Sequence, residues 1–304
     1  MISIEAAEKN LAHFDPGMFV GSCRKALRSA VRENAKKGVA FGASGGIDSL
    51  VTAALCAKAS KNKTGWPVIG LQMIDSRVHG ENYHPEAYRK LGVELIQKDI
   101  TNEAIQQEKN LHLPPRRMTV FFMKLVLRRL PARYRRWFIL QVKSGSAPRW
   151  GMKHLDLLTL HHRIRIARLR AFAATQGLLV VICANRTEAL LGYFVEQGVD
   201  DTRMGDFAPI SGLYKTQVIS IARHLGLPGK IIRQRPSPGF GGIFDEEILG
   251  PYELVDPILS DFDFGYSDKE IARWVVSKGR GIGPAEADRY IRFLRTLSRY
   301  AAQK

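Results

Sequence analysis

The sequence predicts an α/β protein, with a doubly wound parallel sheet followed by a part that is mainly helical. Three observations lead to this fold class. Short apolar runs alternate with helical segments as far as residue 215, which is the pattern of βαβ units covered on both faces. A glycine-rich turn at residues 43–48 separates the first strand from its helix, as in anion-binding loops. Beyond residue 215 the pattern is mainly helical.

Each element is justified by its residues. The run 38–43 is short and apolar, as a buried strand requires. The helix expected over 17–37 ends in two lysines before a glycine, which marks a C-terminus. The helix expected over 267–279 opens with a capping box, Ser267 and Glu270. The other expected strands are 66–73, 93–97 and 178–183. The other expected helices are 49–59, 85–92, 162–177 and 215–226.

Length and composition limit the classes of protein that fit. A chain of 304 residues, 45% of them hydrophobic, can form one large core or two small ones. We expect 1–304 to be a single domain with a helical extension at about 245–304. Three cysteines, Cys23, Cys56 and Cys183, are too few and too scattered for a disulfide framework. Neither a signal peptide nor an apolar run of 18 residues is present, so we expect a cytoplasmic protein.

The net charge of +17 is concentrated in one segment. Residues 107–153 contain 12 lysines and arginines against one acid, Glu108, which gives +11 of the total. Such a segment is expected to contact a polyanion, unless it is only a solvated basic face. The polyanion would be nucleic acid, an anionic membrane or a phosphorylated substrate.

Within this basic segment, residues 114–150 interleave aromatic side chains with arginines, and Pro131 breaks any single helix. We expect segment 107–153 to be an insertion that forms a lid over an anionic substrate or a dimer element. Binding to RNA through arginines and stacking aromatics is one alternative. Contact with an anionic membrane and a plain packed hairpin are the others.

The loop after the first strand reads SGGIDS at residues 44–49. Its glycines let the backbone approach an oxygen closely, and N–H groups of the loop and the helix start point at one spot. Ser44 and Ser49 add donors, so phosphate is the expected anion. The loop lacks the lysine of G-x-x-x-x-G-K-[ST] and the spacing of G-x-G-x-x-G. Asp48 would repel phosphate without a metal between them, so a Mg²⁺-bridging carboxylate is expected; helix capping is the alternative.

This hexapeptide closely resembles the SGGxDS loop of the ATP pyrophosphatases, and a second block points to one branch of that family. Residues 163–215, from RIRIARLR to GLYK, are similar to the NAD synthetases. The similarity extends to RPSPGF at 235–240 and DEEILG at 245–250. It covers roughly residues 20–105 and 155–260, which is most of the chain.

The resemblance implies an ATP-dependent, amide-forming ligase that uses Mg²⁺. The loop would grip the β- and γ-phosphates while a substrate carboxylate attacks the α-phosphorus and displaces pyrophosphate. Ammonia would then attack the acyl-adenylate and release AMP, which converts deamido-NAD to NAD in this family. The chain is too short for a glutaminase domain, so ammonia would be free or delivered by a separate glutaminase. A homodimer is also implied.

The same resemblance implies roles for individual residues. Asp48 and Glu188 would hold Mg²⁺, and Lys215 would neutralise charge on the triphosphate, so these three are the expected catalytic group. Arg163 and Asp206 would contact the acceptor. The expected ATP-binding residues are Gly42, Ser44, Gly45, Gly46, Asp48, Ser49, Cys183, Lys215 and Ser237.

Simpler explanations remain for several of these residues. Glu188 lies near the carboxyl edge of the sheet, where ligands bind, but an acid is also favoured in the first turn of any helix. Lys215 fits an exposed helix surface, and Arg163 belongs to a run of basic residues on one helix. Cys183 follows a buried strand and is typical of a small apolar filler.

Three features depart from the NAD synthetase pattern. Glu196 stands where the family has a lysine that helps to bind the dinucleotide, and Gly239 stands where it has an aspartate. Residues 298–304 lack the family's His-Lys pair. The positions for ATP and metal are mostly kept, whereas those for the acceptor are mostly altered. The acceptor is therefore deamido-NAD or another carboxylate; modification of tRNA and nucleotide binding without catalysis are the remaining alternatives.

Overall fold

A sheet of four parallel strands forms the centre of the molecule. The computed structural model describes residues 4–60, 65–77, 84–237, 244–262, 267–278 and 281–303. The strands are β1 Val39–Gly42, β2 Val68–Ile74, β3 Glu94–Asp99 and β4 Leu179–Val181. Their order in the sheet is β3-β2-β1-β4, with all three pairs parallel. The predicted α/β class with a parallel sheet is confirmed.

Helices make up most of the rest of the described chain. The predicted helices are present, although the one expected over 162–177 is the second half of a much longer helix. A proline separates two helices at Pro131, as predicted. The helix formed by residues 101–110 was not predicted. The helices are α1 Ile4–Ala12, α2 Pro16–Glu33, α3 Ile47–Ser60, α4 Pro85–Leu91, α5 Thr101–Asn110, α6 Arg116–Arg129, α7 Ala132–Lys143, α8 Arg149–Gln176, α9 Arg186–Leu190, α10 Lys215–His224, α11 Gly229–Ile232, α12 Asp245–Leu249, α13 Tyr252–Phe262, α14 Asp268–Ser277 and α15 Pro284–Ala302.

Both faces of the sheet are covered, so the sheet is doubly wound as predicted. Successive side chains of a strand point to opposite faces. Phe41 and Val181 pack with α2, α3 and α10 in one cluster. Ala40 and Val180 pack with α5 and α8 in another. This arrangement explains why β1, β2 and β4 are mainly apolar runs rather than alternating ones, whereas β3 at the edge of the sheet is mostly exposed.

The chain reverses its direction of winding between β1 and β4. From β1 it proceeds through β2 to β3 at one edge, and then α8 returns it to the other side of β1. Ligands of open α/β sheets bind in the crevice at such a switch point, outside the carboxyl ends of the strands. The loop after β1 and the segment after β4 both lie there.

The helices after residue 245 form a third apolar cluster with α1 and α9. Its buried residues include Leu191, Val255 and Leu294. The mainly helical C-terminal part is therefore confirmed, while its status as an extension of one domain stays a prediction. Among the residues described, no helix is both long enough and apolar enough to cross a membrane.

Candidate active site

The loop after β1 turns at Gly45, whose φ of 82° lies in the left-handed region that glycine adopts at little cost. Helix α3 begins at Ile47, so its first N–H groups lie at the carboxyl edge of the sheet. The N–H of Gly46 donates to Ser44 Oγ at 3.3 Å, and Ser49 Oγ donates to the Gly46 carbonyl at 2.9 Å. Backbone groups and two hydroxyls thus meet at one point of the crevice, as an anion site needs.

Tyr88, on α4, supports this loop. Its hydroxyl oxygen accepts a hydrogen bond from the N–H of Gly45 at 3.0 Å and lies 2.8 Å from Ser49 Oγ. Tyr88 is fully buried, and burial raises the pKa of its phenol, so the hydroxyl stays neutral. Tyr88 was not among the predicted site residues. Its only signal is general, because the hydroxyl of a buried tyrosine needs a polar partner.

Lys215 is a buried lysine between two carboxylates. It opens α10, and only 1% of its surface is exposed. Its Nζ donates to Asp48 Oδ2 and lies 3.8 Å from Glu188 Oε1. Asp48 comes from the first turn of α3 and Glu188 from α9, so the two acids reach Lys215 from the two strands that flank the switch point. The alternative that Lys215 lies exposed on a helix surface is therefore wrong.

Asn185 joins the two halves of this cluster. Its side-chain oxygen accepts from the N–H of Glu188 at 3.0 Å, and its Nδ2 donates to Asp48 Oδ1 at 3.1 Å. Glu188 Oε2 in turn accepts from the N–H of Asn185 at 3.2 Å, which completes a capping box at the start of α9. Glu188 is thus both a helix-capping acid and a neighbour of Lys215. Asn185 was not among the predicted site residues, although it lies two positions after the predicted strand 178–183.

Burial and neighbouring charges shift the protonation equilibria of the cluster. Burial, and then the charge of Asp48, raise the pKa of Glu188 well above its ordinary range. For Lys215, burial alone would lower the pKa, but Asp48 and Glu188 outweigh burial and the pKa rises. Lys215 therefore stays charged. One ammonium serves two carboxylates, so the cluster has room for further positive charge.

A second layer of polar residues surrounds Lys215. Asp245, at the start of α12, accepts hydrogen bonds from Tyr252 Oη at 2.9 Å and Tyr193 Oη at 3.2 Å. Burial raises the pKa of Asp245. The Nζ of Lys215 also lies 5.6 Å from the centre of the Tyr252 ring. The C-terminal helices thus contribute side chains that enclose the lysine.

The start of α10 is fixed by a buried pair, Thr187 and Asp256. Thr187 Oγ1 donates to Asp256 Oδ1 at 2.6 Å and accepts from the N–H of Lys215 at 3.0 Å. Asp256 Oδ2 accepts from the N–H of Thr216 at 2.8 Å. These contacts set the position from which the Lys215 side chain extends.

The predicted magnesium ligands fit that ion chemically. Asp48 and Glu188 offer carboxylate oxygens, the ligands that Mg²⁺ prefers. Their side chains are 18% and 17% exposed, so solvent reaches them although Lys215 is buried. They already share a cation, the ammonium of Lys215, which shows that the site favours positive charge.

The other predicted nucleotide residues lie close by or at the surface. Cys183 Sγ lies 3.8 Å from the carbonyl of Gly42, the last residue of β1. Burial raises the pKa of Cys183 to about 12, so the thiol is unreactive and suits a filler. Ser237 is exposed. Gly239 lies outside the described residues.

The two predicted acceptor residues are not part of the Lys215 cluster. Arg163 is exposed on α8, and its Nε donates to the carbonyl of Glu196 at 3.4 Å. Asp206 lies beside β4, where its Oδ2 accepts a hydrogen bond from the N–H of Val180 at 2.8 Å. That bond gives Asp206 a structural role along the strand. Contact of either residue with an acceptor stays a prediction.

Comparison with known proteins points to one family. A family model described as NAD synthase matches residues 19–144 and 147–278. An NH(3)-dependent NAD(+) synthetase from Methanocaldococcus jannaschii is 31% identical over 261 residues, which is 83% of each chain. An NMN synthetase structure from Francisella tularensis shares the fold, with a TM-score of 0.64 and 22% identity over 95% of this chain and 96% of that one. An NH3-dependent NAD synthetase from Campylobacter jejuni does so with a TM-score of 0.58 and 19% identity over 93% and 94%.

Proposed function

The chain belongs to the NAD synthase family and is thus a carbon–nitrogen ligase, and we propose that it converts deamido-NAD to NAD. In this reaction ATP activates a carboxylate by adenylation, and ammonia turns the adenylate into an amide. The relatives named NH(3)-dependent synthetases support free ammonia as the nitrogen source. We propose Mg²⁺ as the metal.

One observation carries the proposal. A lysine that is 1% exposed contacts two carboxylates at the switch point of the sheet, beside a glycine-rich loop. Holding Lys215 charged at this depth costs free energy, which the two carboxylates beside it offset. A binding protein without catalysis would not need this cluster of Asp48, Glu188 and Lys215. Charge that develops on a triphosphate is what such a cluster can stabilise.

In the nucleotide half of the reaction, the N–H groups of the loop and the Ser44 and Ser49 hydroxyls bind the departing pyrophosphate. Lys215 exchanges its bond to Asp48 for a phosphate oxygen and offsets the charge that builds in the transition state. Asp48 and Glu188 hold Mg²⁺, which supplies charge neutralisation when bound. No side chain becomes covalently attached, so positioning and electrostatics supply the catalysis.

In the acceptor half, we propose that Arg163 supplies the positive charge that Glu196 does not. The family pattern has a lysine at the position of Glu196, where this chain carries the opposite charge. Arg163 reaches the backbone of that same residue at 3.4 Å and is exposed to solvent. An arginine that binds phosphate through two N–H groups suits a dinucleotide acceptor.

The test is a reconstituted reaction. The purified protein is incubated with ATP, Mg²⁺, ammonium and deamido-NAD, and NAD, AMP and pyrophosphate are measured by chromatography. We expect all three in equal amounts. Nicotinate mononucleotide serves as a second acceptor, because the Francisella tularensis NMN synthetase shares the fold. Amidation of the mononucleotide alone, or pyrophosphate release that requires tRNA, would disprove the proposed acceptor.

A pair of variants tests the acceptor half separately. Arg163→Ala is expected to raise KM for deamido-NAD about tenfold and to leave KM for ATP unchanged, because it removes one charge-assisted contact. Arg24→Ala, exposed on α2, is the matched control. Equal effects of Arg163→Ala on both KM values would contradict the assignment of Arg163 to the acceptor.

A further inference from the structure

Helix α6 is bonded to the helix that carries Asp245. In the last turn of α6, Arg128 Nε donates to Glu247 Oε1 at 3.0 Å. Glu247 lies on α12, and its Oε2 accepts from the N–H of Phe244 at 2.9 Å, directly before that helix. One carboxylate thus fixes the start of α12 and ties it to α6. Asp245 is the first residue of α12 and accepts the two tyrosine hydroxyls beside Lys215.

Helix α7 holds the end of the helix that carries Glu188. Lys143, the last residue of α7, donates from its Nζ to the carbonyl of Gly192, just beyond the end of α9. The same Nζ lies 5.8 Å from the centre of the Tyr193 ring. Tyr193 bonds Asp245 through its hydroxyl, and its N–H donates to the carbonyl of Glu188 at 2.8 Å. A cation at this end of a helix satisfies carbonyls that the helix itself leaves unpaired.

A third cation supports the other end of α12. On α7, Arg136 Nη1 lies 2.7 Å from Glu286 Oε1 of α15, and its guanidinium carbon lies 4.9 Å from the centre of the Tyr290 ring. Tyr290 Oη donates to the carbonyl of Leu249, the last residue of α12, at 2.7 Å. Helix α12 is therefore held at its start by α6 and at its end by α15, against which α7 packs.

The bond between Arg128 and Glu247 matters for geometry more than for stability. The Arg128 side chain is 43% exposed, and solvent screens such a pair, so it contributes little to the free energy of unfolding. Helix α12 has only five residues, too few to be stable without contacts to its neighbours. Yet Asp245 must stay buried with both tyrosine bonds beside Lys215. A small displacement of groups around reacting atoms can cost a large factor in rate.

We propose that Arg128 and Lys143 are positioning residues for the ligase reaction. They act through α12 and the end of α9, and they keep Asp245 and Tyr193 packed around Lys215. This inference rests on the function proposed above, because it takes the Lys215 cluster as the place of the chemistry. It gives two cations of the basic segment a role inside the molecule.

Steady-state kinetics test the role. Arg128→Ala and Lys143→Met should each lower kcat about tenfold, and KM for either substrate should change less than about threefold. Arg128→Lys keeps a charged donor and should recover about half of the loss or more. Arg129→Ala, exposed on the same helix, and Lys124→Met, half-buried like Lys143, are the matched controls and should keep the wild-type kcat. Melting temperatures should stay within about 3 °C of the wild type.

A double-mutant cycle tests the route from Arg128. Glu247→Gln removes the charge that Arg128 binds but keeps an oxygen for the N–H of Phe244. If Arg128 acts through Glu247, Arg128→Ala should lower kcat in the wild-type background and hardly at all in Glu247→Gln. An equal loss in both backgrounds would overturn the assignment.

Amide hydrogen exchange of the protein without substrates separates this inference from the proposed function. Exchange in residues 245–250 should be about tenfold faster in Arg128→Ala, and in residues 189–193 in Lys143→Met, but not in the controls. An inactive wild type would contradict the proposed function alone. Unchanged exchange in both variants, or an unchanged kcat in both folded variants of an active enzyme, would overturn the positioning role. Lys143→Gln replaces Lys143→Met if that variant does not fold.

Discussion

Two clusters of buried charge lie at the carboxyl edge of the same sheet, and they differ in how closely their one cation is bonded to the two acids. After β1 and β4, one ammonium serves two carboxylates. After β2, Arg77 binds Asp75 at 2.7 Å and Glu108 at 2.7 Å, each through two hydrogen bonds. The Nε2 of His161 also lies 2.9 Å from Asp75 Oδ2. The second cluster is a closed network, whereas the first is open to another cation.

The protonation equilibria express the same difference. Burial alone would raise the pKa of Asp75, but hydrogen bonds from His161 and Arg77 outweigh burial and lower it. The pKa of Glu188 is raised instead, because burial and Asp48 act in the same direction. Asp75, Glu108 and His161 have the spacing of metal ligands, yet the guanidinium of Arg77 occupies both carboxylates. What marks the candidate active site is therefore an acid that its cation does not bond fully, since Lys215 lies 3.8 Å from Glu188 Oε1, rather than ligand spacing.

The largest expected effect is on the open cluster. Lys215→Met should lower kcat about 10³-fold, because it removes a cation aimed at charge that develops in the transition state. The rate of NAD formation at saturating ATP and deamido-NAD measures it. Lys25→Met, exposed on α2, is the control and should leave kcat unchanged. A loss of less than about tenfold in a folded Lys215→Met protein would place Lys215 outside the chemistry.

The closed cluster should respond in stability instead. Arg77→Met leaves the fully buried Asp75 with one partner fewer, so the free energy of unfolding should fall by about 3 kcal/mol. Urea denaturation measures this, with Arg89→Met, exposed on α4, as the control. The kcat of the folded Arg77→Met protein should stay within about threefold of the wild type. A large loss of kcat without loss of stability would show that the closed cluster also acts in catalysis, so that the two clusters would not differ in role.

The sequence was sufficient for the sheet and for the acids of the open cluster. Strands β1, β2 and β4 are short and mainly apolar runs, and Asp48 and Glu188 follow strand ends, where any parallel sheet brings side chains to one edge. The burial of Lys215 could not be predicted, since it depends on how α10 packs against α13 and α3.

The residues that contact these site residues could not be predicted from local sequence patterns either. Tyr88 reaches Gly45 across 43 positions of sequence, and no motif signals that contact. Helix α5 was missed because it is strongly polar and lacks a clear apolar face in sequence. The resemblance assigns Asp206 to the acceptor, which stays a prediction, while no sequence pattern signals the bond of its carboxylate to the backbone of β4.

A smaller effect concerns Asp256, which lies under the start of α10. Burial raises its pKa to about 6, above the ordinary value of an aspartate. A raised pKa means that the folded state favours the protonated carboxyl. The contribution of this carboxyl to the free energy of unfolding is therefore full below about pH 4 and is lost as pH rises through about 6. Relative to Asp256→Asn, the wild type should lose about 3 kcal/mol of unfolding free energy or less between about pH 4 and pH 7.

Urea denaturation at several pH values measures this difference. Asp75→Asn is the opposing control, because the pKa of Asp75 is lowered and its contribution is lost as pH falls. The two difference curves should therefore slope in opposite directions. Parallel curves would show that the two buried acids respond to pH in the same way, which would contradict their opposite pKa shifts.

The smallest expected effect distinguishes the ordering of the loop after β1 from the charge of Lys215. Tyr88→Phe removes the hydroxyl that accepts from Gly45 N–H and contacts Ser49, which should cost about 1 kcal/mol of unfolding free energy. Because the loop is then less ordered before ATP binds, KM for ATP should rise by a factor of about five while kcat changes less. Steady-state kinetics measure both, with Tyr134→Phe, exposed on α7, as the control. If kcat fell as far as it does in Lys215→Met, Tyr88 would act in the chemical step. The effect of an ordered loop could then not be distinguished from the effect of the Lys215 charge.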